Sequence, residues 1–595
     1  MKSILQNQMG GNKHRCTLLS LLLCIVTTGM AQTDTVDVPS DRGHGEGGLN
    51  AAVSAAIGSG TLSKTVFRLE PFGYYILDST ITVPAGTRLT IVAPEPGMTQ
   101  QTAPPMIVWS SRDGISTSRN FRCFGDITLK NIWLLSANTA GNQTFTGLKI
   151  EDSPDTIHGQ LGTFVGVLFD YFPIPGEDAG GAVTVASRHF RGTFSNCYFR
   201  NCTDSHFRYY GRAVSFPYGV TGCHTDSLVF ENCTFANIGY VYMQENGNYG
   251  DVIQFNHCTF LNVIMYPLES GWWHWLSVTN SVFVNPFLYG DVSYPNGYRD
   301  TVGGTMHIDS ISTFGFPIPF TESDRHILFT HSSYFIEEWV SEYMASIVDP
   351  YSETFSVRPQ PMLTLGTLAF FDNAVNGVKA FPFMNRAYLF DSTDPGFIFP
   401  PTNQEGIRRF LWKKWFNSED TTWAFHPEDD IAGVWPMKEN LSYTNPSLLT
   451  SGMGGFPPGD LYRWFPEKYI QWKAQAETEN ARISSWLATG TDPGGPDAVQ
   501  TPSGQVSPSR YALSQNYPNP FNPKTVISGQ LTVDSWAKLV VYDVLGRVVA
   551  TLVDQKLHAG KFSYTFDARA LANGMYFYRL EAEGKVIVKK MTLLK

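Results

Sequence analysis

At 595 residues the chain is too long for one ordinary hydrophobic core, so several domains or a repeat architecture are required. Hydrophobic residues make up 43% and charged residues 16%, a balance that excludes disorder over most of the length. The formal charge is -10 with no long basic run, which excludes nucleic acid and anionic lipid as electrostatic partners.

In chain order, Lys2, Lys13 and Arg15 precede the apolar run Leu18–Val26, and "GMAQ" follows it. This is the pattern of an export signal, with cleavage expected after Ala31. The run is too short to span a bilayer, so the mature chain is expected to lack a transmembrane segment. A lipid anchor on Cys24 is disfavoured because Leu23 stands where a small residue is required. Removing residues 1–31 takes away three positive charges and no negative one, moving the charge from -10 to -13. Six cysteines remain, and Cys202 with Cys223 is the first pair to test for a disulfide. Cys197, Cys233 and Cys258 sit inside a repeat, where small buried thiols explain them, and no CxxC zinc spacing occurs.

The repeat is the main signal of the body. "FENCTFANIGY" (230–240) returns 25 residues later as "FNHCTFLNVIMY" (255–266), with further copies at "FSNCYFRN" from Phe194 and "VTNSVFVN" from Val278. Aligned on Cys197, Cys233, Cys258 and Ser281, the copies carry Phe199, Phe235, Phe260 and Phe283 two places on, and Asn201, Asn237, Asn262 and Asn285 four places on. The period of two puts cysteine and phenylalanine on one face of a short strand. Phe230 and Phe255 have the opposite parity, so the chain is expected to bend near Asn232 and His257. Steps of 36, 25 and 23 residues fit one coil of a parallel β-solenoid. Stacked asparagines are then expected to hydrogen-bond as a ladder. Weaker rungs place Ile132 and Ser332 in the cysteine slot, extending the array beyond four coils.

On these residues the body resembles the right-handed parallel β-helix, pectin-lyase-like proteins. A short helix at Leu49 to Ala56 is expected to cover the first coil's edge, and "GHGEGG" (43–48) reads as a leader before that coil. The β-helix is expected over residues 32–340. From 341 to 488 the repeat fades into irregular further coils and a helical cap, with helices in "NQEGIRRFLWKKWFN" and in "PEKYIQWKAQAETENARISSWLATG", the latter ending at Gly490. The aromatics of "WKKWF" are expected to pack on the solenoid end.

Residues 489–510 are rich in Gly, Pro, Ser and Thr, the composition of a linker. Beyond it, "KLVVYDVLGRVVATLV", "KFSYTFDA" and "GMYFYRLEA" alternate as strands, which predicts a small all-β sandwich over 511–595 with a turn at Leu545-Gly546. The tail resembles the type A sorting domain of the bacterial type IX secretion system in "SQNYPNPFNPKT", "VYDVLGRVV", "LANGMYFYRL" and the terminal "KKMTLLK". That resemblance implies Sec export, the type IX machinery as partner, and a destination at the cell surface or outside the cell.

Two readings of the body stay open: an enzyme or binder acting on polysaccharide, and a non-catalytic structural or adhesive surface protein. A lyase needs a basic residue, for which Arg188, Arg191 and Arg208 are candidates, often with bound calcium. A glycoside hydrolase needs two carboxylates. Glu245 and Glu269, three residues after Tyr242 and Tyr266 and 24 residues apart, are the expected catalytic pair, with Asp251 and His274 as modulators and Trp272 or Trp275 as a wall.

Overall fold

The computed structural model describes residues 34–96, 102–110, 119–140, 146–153, 159–172, 181–203, 211–216, 222–243, 249–293, 303–315, 317–347, 355–375, 377–416, 435–495, 512–513, 515–516, 519–531, 533, 535–557, 560–582 and 584–594. The expected export signal and most of the linker lie outside these residues. Two compact units divide the chain, Met1–Ala498 and Val499–Lys595.

The first unit is a right-handed parallel β-helix built from three strand ladders. One runs unbroken from Asp34–Val38 through Thr65–Leu69 to Met384–Asp391. A second starts at Tyr74–Leu77 and reaches Val282–Val284 and the long strand His326–Phe335. The third has seven strands, from Ile81–Val83 to Leu268–Glu269. The first two ladders meet at a one-residue corner. Asn131, Asn196, Asn232, His257, Asn280 and His331 occupy it with φ between 49° and 61°, and Gly166 with φ 63°. Asparagine and glycine tolerate this left-handed region best, which is why the slot is mostly asparagine. The corner is the bend expected at Asn232 and His257, and it turns both phenylalanines of each copy inward.

Those rings form two columns. Phe164, Phe194, Phe230 and Phe255 stack at 4.6 to 4.7 Å. Phe169, Phe199, Phe235, Phe260 and Phe283 stack at 4.3 to 5.2 Å. The strand spacing of ~4.8 Å sets this distance. Between the columns, the thiols of Cys197, Cys233 and Cys258 donate to the carbonyls of Phe164, Phe194 and Phe230 on the previous coil. Ile132 and Ser332 occupy the same slot, fully buried. The asparagine ladder forms as expected from its second rung. Asn262 Nδ2 donates to Asn237 Oδ1 at 3.1 Å, and Asn285 Nδ2 to Asn262 Oδ1 at 3.0 Å.

Three expectations change. All six cysteines are free, so Cys202 and Cys223 form no disulfide. Each side chain is buried as a small apolar group, with the Cys202 thiol turned to the carbonyl of Arg200. Residues 43–48 are no leader. The Asp34–Val38 strand precedes them and pairs with Thr65–Leu69, so they form the turn into the Gly48–Gly58 helix. The later helices lie along the flank of the solenoid. Gln404–Phe416 buries Phe410 and Trp415 in one cluster with Tyr266, Leu288 and Tyr289, and the Trp415 indole donates to the Tyr289 carbonyl.

The second flanking segment covers the corner column. Asn232 Oδ1 accepts from the Leu461 N–H, Asn280 Oδ1 from the Met453 N–H, and Asn256 Nδ2 donates to Glu479. Buried amides at and beside the corner thus find partners some two hundred residues away, which a bare solenoid surface would leave to water. Arg200, fully buried between Asp170 at 2.8 Å and Glu439 at 2.6 Å, pins the start of this segment to the coils. Its last helix, Ala476–Thr489, ends at Gly490 in the left-handed region (φ 71°), as its sequence predicts.

The strands of the second unit pair antiparallel. Ala512–Leu513, Lys524–Leu531 and Gly560–Asp567 form one sheet, and Val548–Leu557, Ser535–Asp543, Gly574–Ala582 and Lys585–Leu593 the other. Ile527, Leu531, Leu539, Val541, Tyr578 and Met591 share its core. The expected turn sits at Gly546 (φ 77°), where Asp543 Oδ1 accepts from the N–H groups of Leu545 and Arg547.

Candidate functional site

The outward residues of the strands Phe190–Ser195, Thr225–Glu231, Gly250–Asn256 and Trp273–Thr279 floor a groove of about 640 Å³. Register brings Val229, Gln254 and Ser277 into one row, and Val252, Trp275 and His326 into another. One wall is the Ala476–Thr489 helix through Asn480, Ile483, Ser484 and Leu487. The opposite wall is the loop carrying Pro319, Ser323 and Asp324. Buried Arg325 anchors that loop, donating to the carbonyls of Trp273 at 2.8 Å, Asp309 at 2.7 Å and Gly271 at 2.9 Å.

Asp251 and His274 meet in this groove. His274 Nδ1 lies 2.6 Å from Asp251 Oδ1, and His224 Nε2 lies 3.8 Å from Asp251 Oδ2. Burial would raise the Asp251 pKa, but hydrogen bonds and charge from the two imidazoles outweigh it and bring it down to about 2. An aromatic shell fixes the rings. Phe320 stacks on His274 at 4.3 Å, and Tyr249 packs between His224 and Phe320. Farther along, Trp275 stacks on His326 at 3.7 Å, and His326 on Phe383 at 4.4 Å. His326 Nδ1 donates to the Leu487 carbonyl, and burial lowers the imidazole's pKa, so near neutral pH it is uncharged with Nε2 as an acceptor. At the other end, burial and the nearby Glu479 raise the pKa of Glu231, against a hydrogen bond from Asn480.

Glu231 stands in register with Asn256, five residues along the strand from Asp251. At ~3.3 Å per residue that is ~16 Å, beyond the ~9.5 Å limit for paired carboxylates of a glycosidase. The two acids serve different parts of the groove.

The other sequence candidates fall as follows. Glu245 and Arg208 lie outside the described residues. Glu269 ends a strand of the third ladder in register with Met243, and no pairing with Glu245 is assigned. Trp275 lines the groove, whereas the Trp272 indole donates to Thr313 and its ring packs on Phe314. Arg188 is held by Asp152 at 2.8 Å, and neither it nor Arg191 lines the groove. Among the described residues no group of three or more His, Cys, Asp and Glu side chains is arranged to hold a metal ion, so no calcium site is assigned.

Sequence reasoning did not find His224, Tyr249, Phe320, His326 or Glu231. One signal was present. Seven places before Cys233, Cys258 and Ser281 stand Asp226, Asp251 and His274, one column on successive coils. The partners come from loops that no period marks.

The Asp251 cluster has a pH signature. Its folded pKa of about 2 is below the ordinary carboxylate value. Its stabilisation is therefore complete above about pH 4 and lost as pH falls toward about 2. Urea midpoints should place Asp251→Asn below the wild type at neutral pH, with the two converging in strong acid. A gap that persists there would mean that the carboxylate charge does not hold the imidazoles.

No helix among the described residues is long and apolar enough to cross a membrane. No curated protein and no solved structure matches the chain. Residues 515–593 match the family described as the secretion system C-terminal sorting domain. The antiparallel unit at the end of this chain is a type IX sorting domain, and the protein that carries it is sent to the cell surface or the medium.

Proposed function

We propose that the β-helix binds a polysaccharide chain in the groove between the Ala476–Thr489 helix and the 317–324 loop. The supporting observation is the groove itself: about 640 Å³, with Trp275, Tyr249 and Phe383 offering apolar surface beside Asp251, Gln254, Ser277 and His274. Sugar rings present apolar faces and a rim of hydroxyls, and pockets that hold them combine these two features. A destination outside the cell brings such a site to its ligand.

The test uses the secreted full chain in affinity gels containing hydroxyethyl cellulose, xylan, galactomannan or polygalacturonate. Trp275→Ala, at the centre of the groove, should weaken retardation by about tenfold or more, the scale of a central aromatic contact. Equal retardation of the variant and the wild type would overturn the groove reading. Cleavage is a separate claim, in which Glu245 and Glu269 are the proposed carboxylates and Asp251 and His274 their proposed modulators. Reducing ends released from the bound chain should vanish in Glu245→Gln and Glu269→Gln. Release unchanged in both removes that pair, and binding without release makes the protein an adhesive surface module.

A further inference from the structure

We infer that the groove selects an uncharged glycan and rejects chains that carry carboxylates. This inference rests on the groove reading and adds the chemical class of its ligand.

Three carboxylates line the groove, Glu231, Asp251 and Asp324, and no described lining residue is a lysine or arginine. An acidic sugar therefore finds no guanidinium or ammonium to pair with, the usual means of holding a carboxylate. The histidines do not replace one. His274 turns Nδ1 to Asp251, and His224 approaches the same carboxylate, so both imidazoles already face an anion of the protein. His326 is neutral near pH 7 because burial lowers its pKa. Asp251 stays ionised at every physiological pH. Asp324 Oδ2 accepts from the Thr321 N–H and hydroxyl inside the loop, which holds the carboxyl group at the groove wall. Glu231 already stands beside Glu479, and a further anion would have to be accommodated next to both.

What the groove does offer suits a neutral chain. Gln254 and Ser277 lie side by side on the floor, where an amide and a hydroxyl both donate and accept. The His326 Nε2 adds an acceptor, and the carboxylates accept from sugar hydroxyls as readily as any group present. The net charge of the chain, -10, repels a polyanion at long range as well.

The inference is tested with matched pairs: hydroxyethyl cellulose, xylan and galactomannan, each beside its carboxymethyl derivative, with polygalacturonate as a natural acidic chain. Binding of the full secreted chain is measured at low and high salt. The neutral member of a bound pair should bind about tenfold or more tightly than its carboxymethyl form at low salt, since facing like charges are strongly unfavourable. The gap should narrow at about 0.5 M salt, where the screening length falls to a few ångströms. A second variant keeps the test independent of Asp251: Gln254→Lys adds a cation to the floor of the groove and should bring carboxymethyl chains and polygalacturonate into binding. Binding of the acidic member as tight as or tighter than its neutral partner overturns the charge inference and leaves the groove reading standing. If no polymer binds, or if Trp275→Ala binds all of them unchanged, the groove reading fails and the inference falls with it.

Discussion

Replacing Phe235 with aspartate is expected to leave no folded body. The Phe235 ring is fully buried and stacked between Phe199 at 5.2 Å and Phe260 at 5.1 Å, with Phe230 and Phe255 edge-on beside it. Losing a buried phenylalanine costs about 3–5 kcal/mol. The aspartate adds the penalty of a charge with no partner between coils, which is several kcal/mol more. The total is comparable to the ~5–15 kcal/mol that holds a typical domain together. Because each coil rests on its neighbours, a lost rung interrupts the core on both sides. The variant should show no cooperative melting transition and should not be secreted, while Phe235→Leu should melt only moderately below the wild type. A melting temperature unchanged in Phe235→Asp would mean that this ring is not in the core, and the register of the coils would be wrong.

Deleting residues 511–595 should strand a folded body in the periplasm. The sorting domain match spans residues 515–593 and so is removed whole. The two units have separate cores: the sorting domain's is built from residues such as Leu539, Val541 and Tyr578, and none of these belongs to the phenylalanine columns of the body. The truncated chain therefore keeps every coil it needs to fold. Fractionation and protease treatment of whole cells in a type IX-competent host would locate it, and its melting temperature should equal that of the body in the full chain. Display of the truncated protein at the cell surface would show that the address lies elsewhere. A second variant separates address from folding. Leu539→Asp, in the core of the small unit, should unfold that unit alone and give the same periplasmic retention.

The coils were legible before the structure because a solenoid repeats its physics with its sequence. Phe235, Cys233 and Asn237 recur as Phe260, Cys258 and Asn262 since each must meet its own kind one strand spacing away. The corner was legible for the same reason. A side chain that tolerates positive φ is needed once per coil, and Asn232 and His257 stand where the parity of the flanking phenylalanines reverses. The sorting domain was legible because its motifs run in order through the whole tail.

The groove was not legible in that way. Asp251 and His274 share a column that counting residues can find, yet the wall they face comes from Phe320, and the far wall from Ile483 and Leu487. Nothing in the amphipathic spacing of the Ala476–Thr489 helix says which flank of which coil it will cover. The pairing of Asn480 with Glu231 and of Glu479 with Asn256 settles that only once both partners are in place. The thiols teach the same lesson. An even count in an exported chain permits disulfides, but the coil geometry buries Cys202 and Cys223 as separate apolar groups. Contacts between neighbouring coils are written as a period in the chain. Contacts between a coil and a segment two hundred residues away depend on shape and on unsatisfied hydrogen bonds, which exist only after the solenoid has folded.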